Sequence, residues 1–293
     1  MLDEKILKDL RLMALRLRHD LVEMIGVGTA GHLGGASSLA ELMAVLYFYR
    51  MNCDKAGLSD PNRDRLVLSK GHAALIQYAA LCEKGFFPRE ELKKVKMLDG
   101  LLQGHPDLTI PGIEAVTGSL GQGLSVSLGM ALALRLNGSP ARVYVVMGDG
   151  EQAEGQIWEA AIAAANFKAG NITAFLDWNK VQATGPTGNV LNNPDLDKKW
   201  AAFGWNVIPC AGHDPAKIIA ALEEADKTPD KPSLIILDTV KGKGFSFAEG
   251  NAAFHNGILT EELYAQALAE LDQARREIEH AGAAKGPDAA RGA

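Results

Sequence analysis

Two polar residues stand where buried strands should end. The apolar run Val143 to Met147 stops at Gly148-Asp149-Gly150, and the run Ile172 to Leu176 stops at Asp177-Trp178-Asn179. Asp149 and Asn179 are therefore one strand–helix–strand unit apart. A right-handed crossover makes such strands neighbours or near neighbours. Open parallel sheets bind ligands beyond the carboxyl ends of their strands. A carboxylate and an amide oxygen at that place, with the remaining positions open, suit Mg²⁺ shared with phosphate oxygens. Gly148 and Gly150 let the backbone approach a ligand, and a helix beginning near Gln152 and Ala153 would aim its positive end at the same anion. A Gly-Asp-Gly triplet is also an ordinary turn. The Asn at the second strand end is what raises the pair above that reading. The chain has no GxxxxGK[ST] loop, so this is not a Walker-type phosphate site.

Histidine supplies the second set of candidates. His32, His72 and His105 each sit in a Gly-His turn. Any one alone reads as an exposed or hydrogen-bonded histidine; as a set they point to one cleft, where groups titrating near neutrality can move protons. Lys241 and Lys243 in "VKGKG" either approach a phosphate or are solvated. Trp158, Trp178 and Trp200 read as core or interface. Asp177 is either a support for the neighbouring site or a strand terminus.

The elements that must position these groups follow from periodicity. Apolar residues at helical spacing predict an opening helix over 3–25, with Ser37 or Ser38 placed to cap a second one over 39–50. Residues 52–65 read as a loop, "DRLVLSKGHAAL" as a strand and a Gly-His turn entering a helix, and 100–123 as a long Gly/Pro-rich segment of the kind that usually carries function. A helix over 124–136 closes at Asn137-Gly138. A helix over 153–168 stops at Gly170. A loop over 182–195, a strand near 206–210, a helix, the strand in "PSLIILDTV" and a last helix follow. Strands alternating with helices predict an α/β fold, a doubly wound parallel sheet with helices on both faces. One domain is expected over 1–280, with 281–293 a disordered tail.

Bulk properties narrow the class. The chain has 293 residues, 47% of them hydrophobic, which is ample for a large core, and its net charge of −6 leaves no nucleic-acid footprint. Three scattered Cys give neither a disulfide framework nor a zinc site and suit a reducing compartment. The charged first 26 residues are not a signal peptide, and no run is long enough to span a membrane. A cytoplasmic protein is expected.

Here the motifs become recognisable. "GDGEQAEG…LDWNKVQATG" resembles a thiamine-diphosphate motif, and "TAGHLGGASS", "DRLVLSKGHAAL", "GLLQGHPD", "TGSLGQGLSVSLGMALA" and "DTVKGKGFSF…FHNG" stand in the order of the N-terminal half of transketolase. The resemblance covers roughly residues 10 to 260. It implies the diphosphate-binding domain of that family, with thiamine diphosphate and Mg²⁺ (or Ca²⁺ in its place) as cofactors. Asp149, Asn179 and the carbonyl of Val181 would ligate the metal. Gly150 would offer its N–H to the diphosphate, Gly118, Ser119 and Leu120 would line the cofactor, and Glu154 would help link paired sites across a dimer. His32, His72, His105 and His255 would contact the cofactor and the substrate hydroxyls and shuttle protons. Leu33 stands where many members have Pro, and "FHNG" departs from the commoner His-Gly pair.

The family's pyrimidine-activating Glu and most of its donor-phosphate groups belong to a second domain, for which this sequence has no pattern. The expectation is one subunit of a split transketolase, transferring a two-carbon ketol unit from a ketose phosphate to an aldose phosphate. A pyrimidine-binding partner of about 300 residues and a two-plus-two heterotetramer would complete it. Helices at 39–49 and 124–136 are expected at the interface. A pentose-phosphate role is the default, with unusual or sulfonated sugars also open. The alternatives are the α subunit of a 2-oxoacid dehydrogenase first component and a noncatalytic cofactor-binding subunit.

Overall fold

The structure, a computed structural model, describes residues 3–283. Five strands form one parallel sheet: β1 (Arg65–Leu68), β2 (Val143–Gly148), β3 (Ile172–Trp178), β4 (Asn206–Ala211) and β5 (Ser233–Asp238), in the order β1-β2-β3-β5-β4. Every residue of β2 is buried, so no polar alternation marks it. Its side chains divide instead between two cores. Tyr144 and Val146, with Phe175, Ile235 and Leu237, pack under α1 (Glu4–Ile25), α3 (Ala40–Val45), α4 (Ala74–Glu83) and α8 (Pro215–Asp226). Val143, Val145 and Met147, with Ile172, Ala174, Leu176 and Ile236, pack under α5 (Gln122–Leu136), α6 (Gly155–Asn166) and α7 (Leu196–Ala202). The doubly wound α/β expectation is met.

Local departures have physical causes. Residues 33–50 are not one capped helix. A short α2 (Leu33–Ser37) precedes α3, and α3 continues as a π-helical turn, Leu46–Arg50. Ser38 does not cap α3; its hydroxyl reaches Asp177 at 2.8 Å. The helix expected from 153 begins at Gly155, after a 3₁₀ turn at Gly150–Ala153. The 182–195 loop holds a hairpin pairing Val181–Gln182 with Gly185–Pro186. The last helix, α9 (Glu261–Ala283), takes in three residues assigned to the tail; 284–293 lie outside the described residues. Most of the 39–49 segment, Leu39 to Tyr47, is buried within the chain, so only Phe48 and Tyr49 are left for the expected interface. By contrast α5 leaves Val126 and Leu136 open, the latter 87% exposed.

Trp158, Trp200, Trp205 and Phe203 form an aromatic cluster, with Trp158 5.5 Å from Trp200 and Trp200 4.7 Å from Trp205 between ring centres. The core reading of Trp158 and Trp200 therefore holds, and Trp178 is half-buried. The three Cys are free and buried, and among the described residues no helix is long and apolar enough to cross a membrane.

One ionic cluster away from the strand ends affects stability. Arg89 bonds Asp20, Glu23 (2.8 Å) and Glu83 (2.8 Å), while Arg16 holds the other oxygen of Glu83. Asp20 is wholly buried, its Oδ2 has no partner among the described residues, and burial pushes its carboxyl up to about 6 against the pull of Arg89. A carboxyl raised on folding stabilises the folded state when protonated. That contribution is full below the unfolded value, near 4, and is lost as pH climbs through the folded one. The Asp20 contribution should therefore fall away between about pH 4 and about pH 7. Asp20→Asn should flatten that slope and gain about 1–2 kcal/mol at pH 8 relative to pH 4, read from denaturant midpoints at the two pH values.

Candidate functional site

Because β2 and β3 pair over six residues, from Val143↔Ile172 to Gly148↔Asp177, their ends lie side by side. Asp149 and Asn179 follow directly and are 6% and 7% exposed. Asp149 Oδ1 accepts from Gly150 N (2.7 Å); its Oδ2 accepts from Lys180 N (2.6 Å) and Thr187 Oγ1 (3.1 Å). Lys180 adopts a left-handed backbone, φ 68°. That single residue reverses the chain, so that the Val181 N–H donates to Asn179 Oδ1 at 3.2 Å and Val181 joins Asp149 and Asn179 in one cleft. An ordinary side-chain residue in that conformation is uncommon and is usually held there by its surroundings.

Behind these groups lies a buried carboxylate. Asp177 Oδ2 accepts from Lys70 Nζ (2.5 Å), Ser38 Oγ (2.8 Å) and Asn179 Nδ2 (2.8 Å), and Thr239 Oγ1 donates to Oδ1. Burial alone would raise this carboxyl, but the Lys70 ammonium and these bonds hold it below the usual carboxylate range. Lys70 also reaches the Gly35 carbonyl at 2.9 Å. Lys241, 2% exposed, donates to the Val181 carbonyl (2.7 Å) and lies 2.9 Å from His255 Nδ1; burial, then Lys70, lowers it to about 8. Lys243 instead sits at the surface beside Glu249, so the two lysines of "VKGKG" part company.

The histidines converge. Ring centres are 5.5 Å apart for His32 and His72, 5.5 Å for His32 and His255, 4.8 Å for His72 and His255, and 5.9 Å for His32 and His105. A two-residue clasp explains how sequence-distant motifs meet: Ala30 pairs with Ile258 and Gly31 with Gly257, antiparallel. Burial holds His32 and His255 at about 4 and His72 lower still, and it also lowers His105. All four are neutral imidazoles at pH 7, able to accept a proton or to bond a hydroxyl. His105 is the exposed member, at the mouth.

The long Gly/Pro segment closes the other wall. A Cβ on Gly71 would lie 2.7 Å from the Thr117 carbonyl carbon and 2.8 Å from Gly118 N, so the Gly-His turn and the 117–121 segment touch backbone to backbone. Gly118 and Ser119 are exposed, and Leu120 and Glu154 line the same cleft as Asp149. Glu151, wholly buried, ties the two walls: it accepts from Ser69 Oγ, Gly121 N (2.8 Å) and Gly148 N (2.9 Å).

Of the residues expected from the sequence, Asp149, Asn179, Val181, Gly150, Leu120, Glu154, His72 and His255 line one cleft. His32 adjoins it through its ring contacts with His72 and His255, and His105 and Gly118 lie beyond His32, while Ser119 and Lys243 stand apart. Sequence reasoning passed over Lys70, Glu151, Ser38 and Thr239. Lys70 carried a usable signal, since a lysine directly after "LVLS" must stand at a strand's carboxyl end.

The donor set is oxygen only: a carboxylate, an amide oxygen and a peptide carbonyl, which fits a hard divalent cation. Two buried ammonium groups beside it, Lys70 and Lys241, fit an anion such as a diphosphate.

Residues 3–275 match the family model described as "Transketolase, thiamine diphosphate binding domain". The chain is 45% identical to a 6-deoxy-6-sulfo-D-fructose transketolase subunit of Clostridium sp. (strain MSTE9), covering 90% of this chain and 97% of the relative. It is 40% identical to an apulose-4-phosphate transketolase subunit of Phocaeicola vulgatus, covering 92% and 96%. Among solved structures, transketolase from Campylobacter jejuni superposes with a TM-score of 0.82 at 29% identity, over 97% of this chain and 48% of that one. The chain thus spans about half the length of the solved transketolases it resembles.

Proposed function

The chain belongs to the transketolase thiamine diphosphate binding domain family, and from that premise we propose that it is the diphosphate-binding subunit of a two-chain transketolase. The observation that carries this is the convergence of Asp149, Asn179, Val181, two buried lysines, His72 and His255 on one cleft, with His32 and His105 in the same ring cluster. Asp149, Asn179 and the Val181 carbonyl would hold Mg²⁺, or Ca²⁺ in its place. Gly150 N–H, Lys70 and Lys241 would meet the diphosphate, with Gly118, Ser119 and Leu120 beside the cofactor. Thiamine diphosphate, when bound, supplies the carbon nucleophile and electron sink for cleavage beside a ketose carbonyl.

This chain's own work is then positioning and proton handling. His32 and His72 face one another in neutral form, so each has a ring nitrogen that can accept a proton from a sugar hydroxyl and return it, while His255 beside them presents a donor. His105, at the mouth, meets the substrate as it enters. Lys241 donates toward His255 Nδ1, which fixes that ring's tautomer with its proton on Nε2. Glu154, exposed beside Gly121, is placed to meet a second chain.

The substrates in this reading are sugar phosphates or close analogues. A two-carbon unit passes from ketose to aldose, with pentose phosphates one member of the class and the sulfosugar and apulose 4-phosphate of the relatives' names others. A pyrimidine-binding partner of about 300 residues completes the site in a two-plus-two heterotetramer, in the cytoplasm. The open face of α5 serves that assembly.

The test is an assay of the chain alone, then mixed with a candidate partner, with thiamine diphosphate, Mg²⁺ and ketose and aldose phosphates. Silence alone and turnover on mixing are expected. Turnover by the single chain would overturn the split reading.

A further inference from the structure

The metal-site reading leaves open what decides which end of the Asn179 amide faces the ion. An amide has two ends of similar shape and opposite chemistry, and only the oxygen binds a cation. In this structure Asp177 makes the choice at the NH₂ end, and the Val181 N–H agrees with it at the oxygen end. The Asp177 Oδ2, which also accepts from Lys70 Nζ and Ser38 Oγ, receives the NH₂ end of Asn179 at 2.8 Å. The oxygen is thereby turned the other way, to the side where the Val181 N–H and Asp149 stand.

Asp177 is itself over-determined. It is wholly buried and receives Lys70, Ser38 and Thr239 in addition to Asn179. These come from four separate places: the end of β1, the turn between α2 and α3, the end of β3 and the end of β5. A rotation of the carboxylate would break bonds to all of them. We infer that Asp177 is a positioning residue for cation binding: it fixes the Asn179 amide with its oxygen toward the metal while holding the Lys70 ammonium at the cleft floor. It lies behind the cleft and is not among the residues that line it. This rests on the metal-site reading proposed above.

Removing the charge while keeping the shape tests it. In Asp177→Asn the new side chain can present either a donor or an acceptor, so only the 3.2 Å bond from the Val181 N–H is left to orient the Asn179 amide. Groups that orient metal ligands from behind typically cost about 10–100-fold in affinity when replaced. Mn²⁺ titration of the full chain with its partner and thiamine diphosphate, followed by paramagnetic resonance, should show a Kd weaker by about 10–100-fold. The apparent KM for Mg²⁺ should rise alike, and kcat at saturating Mg²⁺ should stay within about threefold.

Ser38→Ala provides a milder variant should Asp177→Asn fail to fold. It removes one of the bonds that lock the carboxylate, and a Kd weakened about two- to fivefold is expected. Wild-type affinity in whichever of the two variants folds, with wild type binding Mn²⁺ normally, would overturn the positioning role and leave the metal site standing. No Mn²⁺ binding by the wild type would instead remove the metal site itself. A fall in kcat that saturating Mg²⁺ does not restore would also overturn the inference, because the role would then lie in catalysis or in fold.

Discussion

Asp149→Ala should abolish turnover of the assembled enzyme, by at least about a thousandfold, while the chain stays folded. The residue holds the turn in three ways: Oδ1 on Gly150 N, and Oδ2 on both Lys180 N and Thr187 Oγ1. Yet burial and the nearby Asp177 charge both raise its carboxyl, so in the protein alone the ionised form is held at a cost. A divalent cation reverses that cost, which is the electrostatic reason to place a carboxylate here. Loss of the carboxylate should therefore remove metal-dependent cofactor binding more completely than it removes stability. The check pairs turnover with a thermal melt with and without Mg²⁺ and thiamine diphosphate. Wild type should be stabilised by the pair, the variant by neither. A variant that keeps ligand-induced stabilisation would place the cation elsewhere.

The largest stability effect should come from Lys70→Met. Lys70 and Asp177 are 1% and 0% exposed and 2.5 Å apart. Breaking a buried pair by removing one member leaves the other charge stranded, which typically costs about 3–5 kcal/mol. Asp177 keeps its two hydroxyl donors and the Asn179 amide, which soften the loss toward the lower end of that range. The pH dependence has a definite sign. The Asp177 carboxyl is depressed in the folded chain, so its contribution is present above the unfolded carboxylate range and disappears as pH falls through the folded value. Urea midpoints at pH 7 and pH 4 should show the Lys70→Met deficit shrinking at the lower pH, because a protonated Asp177 no longer needs a counter-charge. A deficit equal at both would assign the loss to packing.

Parts of this were legible in the sequence for reasons that differ. β2 and β3 could be read because a fully buried strand is a continuous apolar run, and its end is marked by the first glycine and the first charge. Once the strands were placed, parallel pairing put Asp149 and Asn179 together. The four histidines could be grouped only through motif order. Nothing in local pattern says that Gly31 pairs with Gly257, a contact made by two residues on each side. Asp177 was visible without its meaning, since an aspartate at a strand end looks the same whether it faces water or four buried donors. The 39–49 segment was ambiguous for another reason. An apolar helix in a sequence is equally consistent with a chain's own core and with a partner's surface. Here α1 and α4 cover α3 on the inside. The 3₁₀ turn after Asp149 was also hidden, because it depends on Glu151 turning inward to bind Gly121, a residue of another segment.

The clasp between Ala30–Gly31 and Gly257–Ile258 bears on the order in which the chain matures. His32 and His255 meet only when the two ends of a very long loop have closed, and contacts of that span form slowly because the chain between them must first be ordered. A growing polypeptide can complete β1, β2 and β3, and so present Asp149, Asn179 and Val181, well before His255 has been synthesised. In the function proposed above, the residues assigned to the cation are thus synthesised first, and the histidine cluster waits on the final motif.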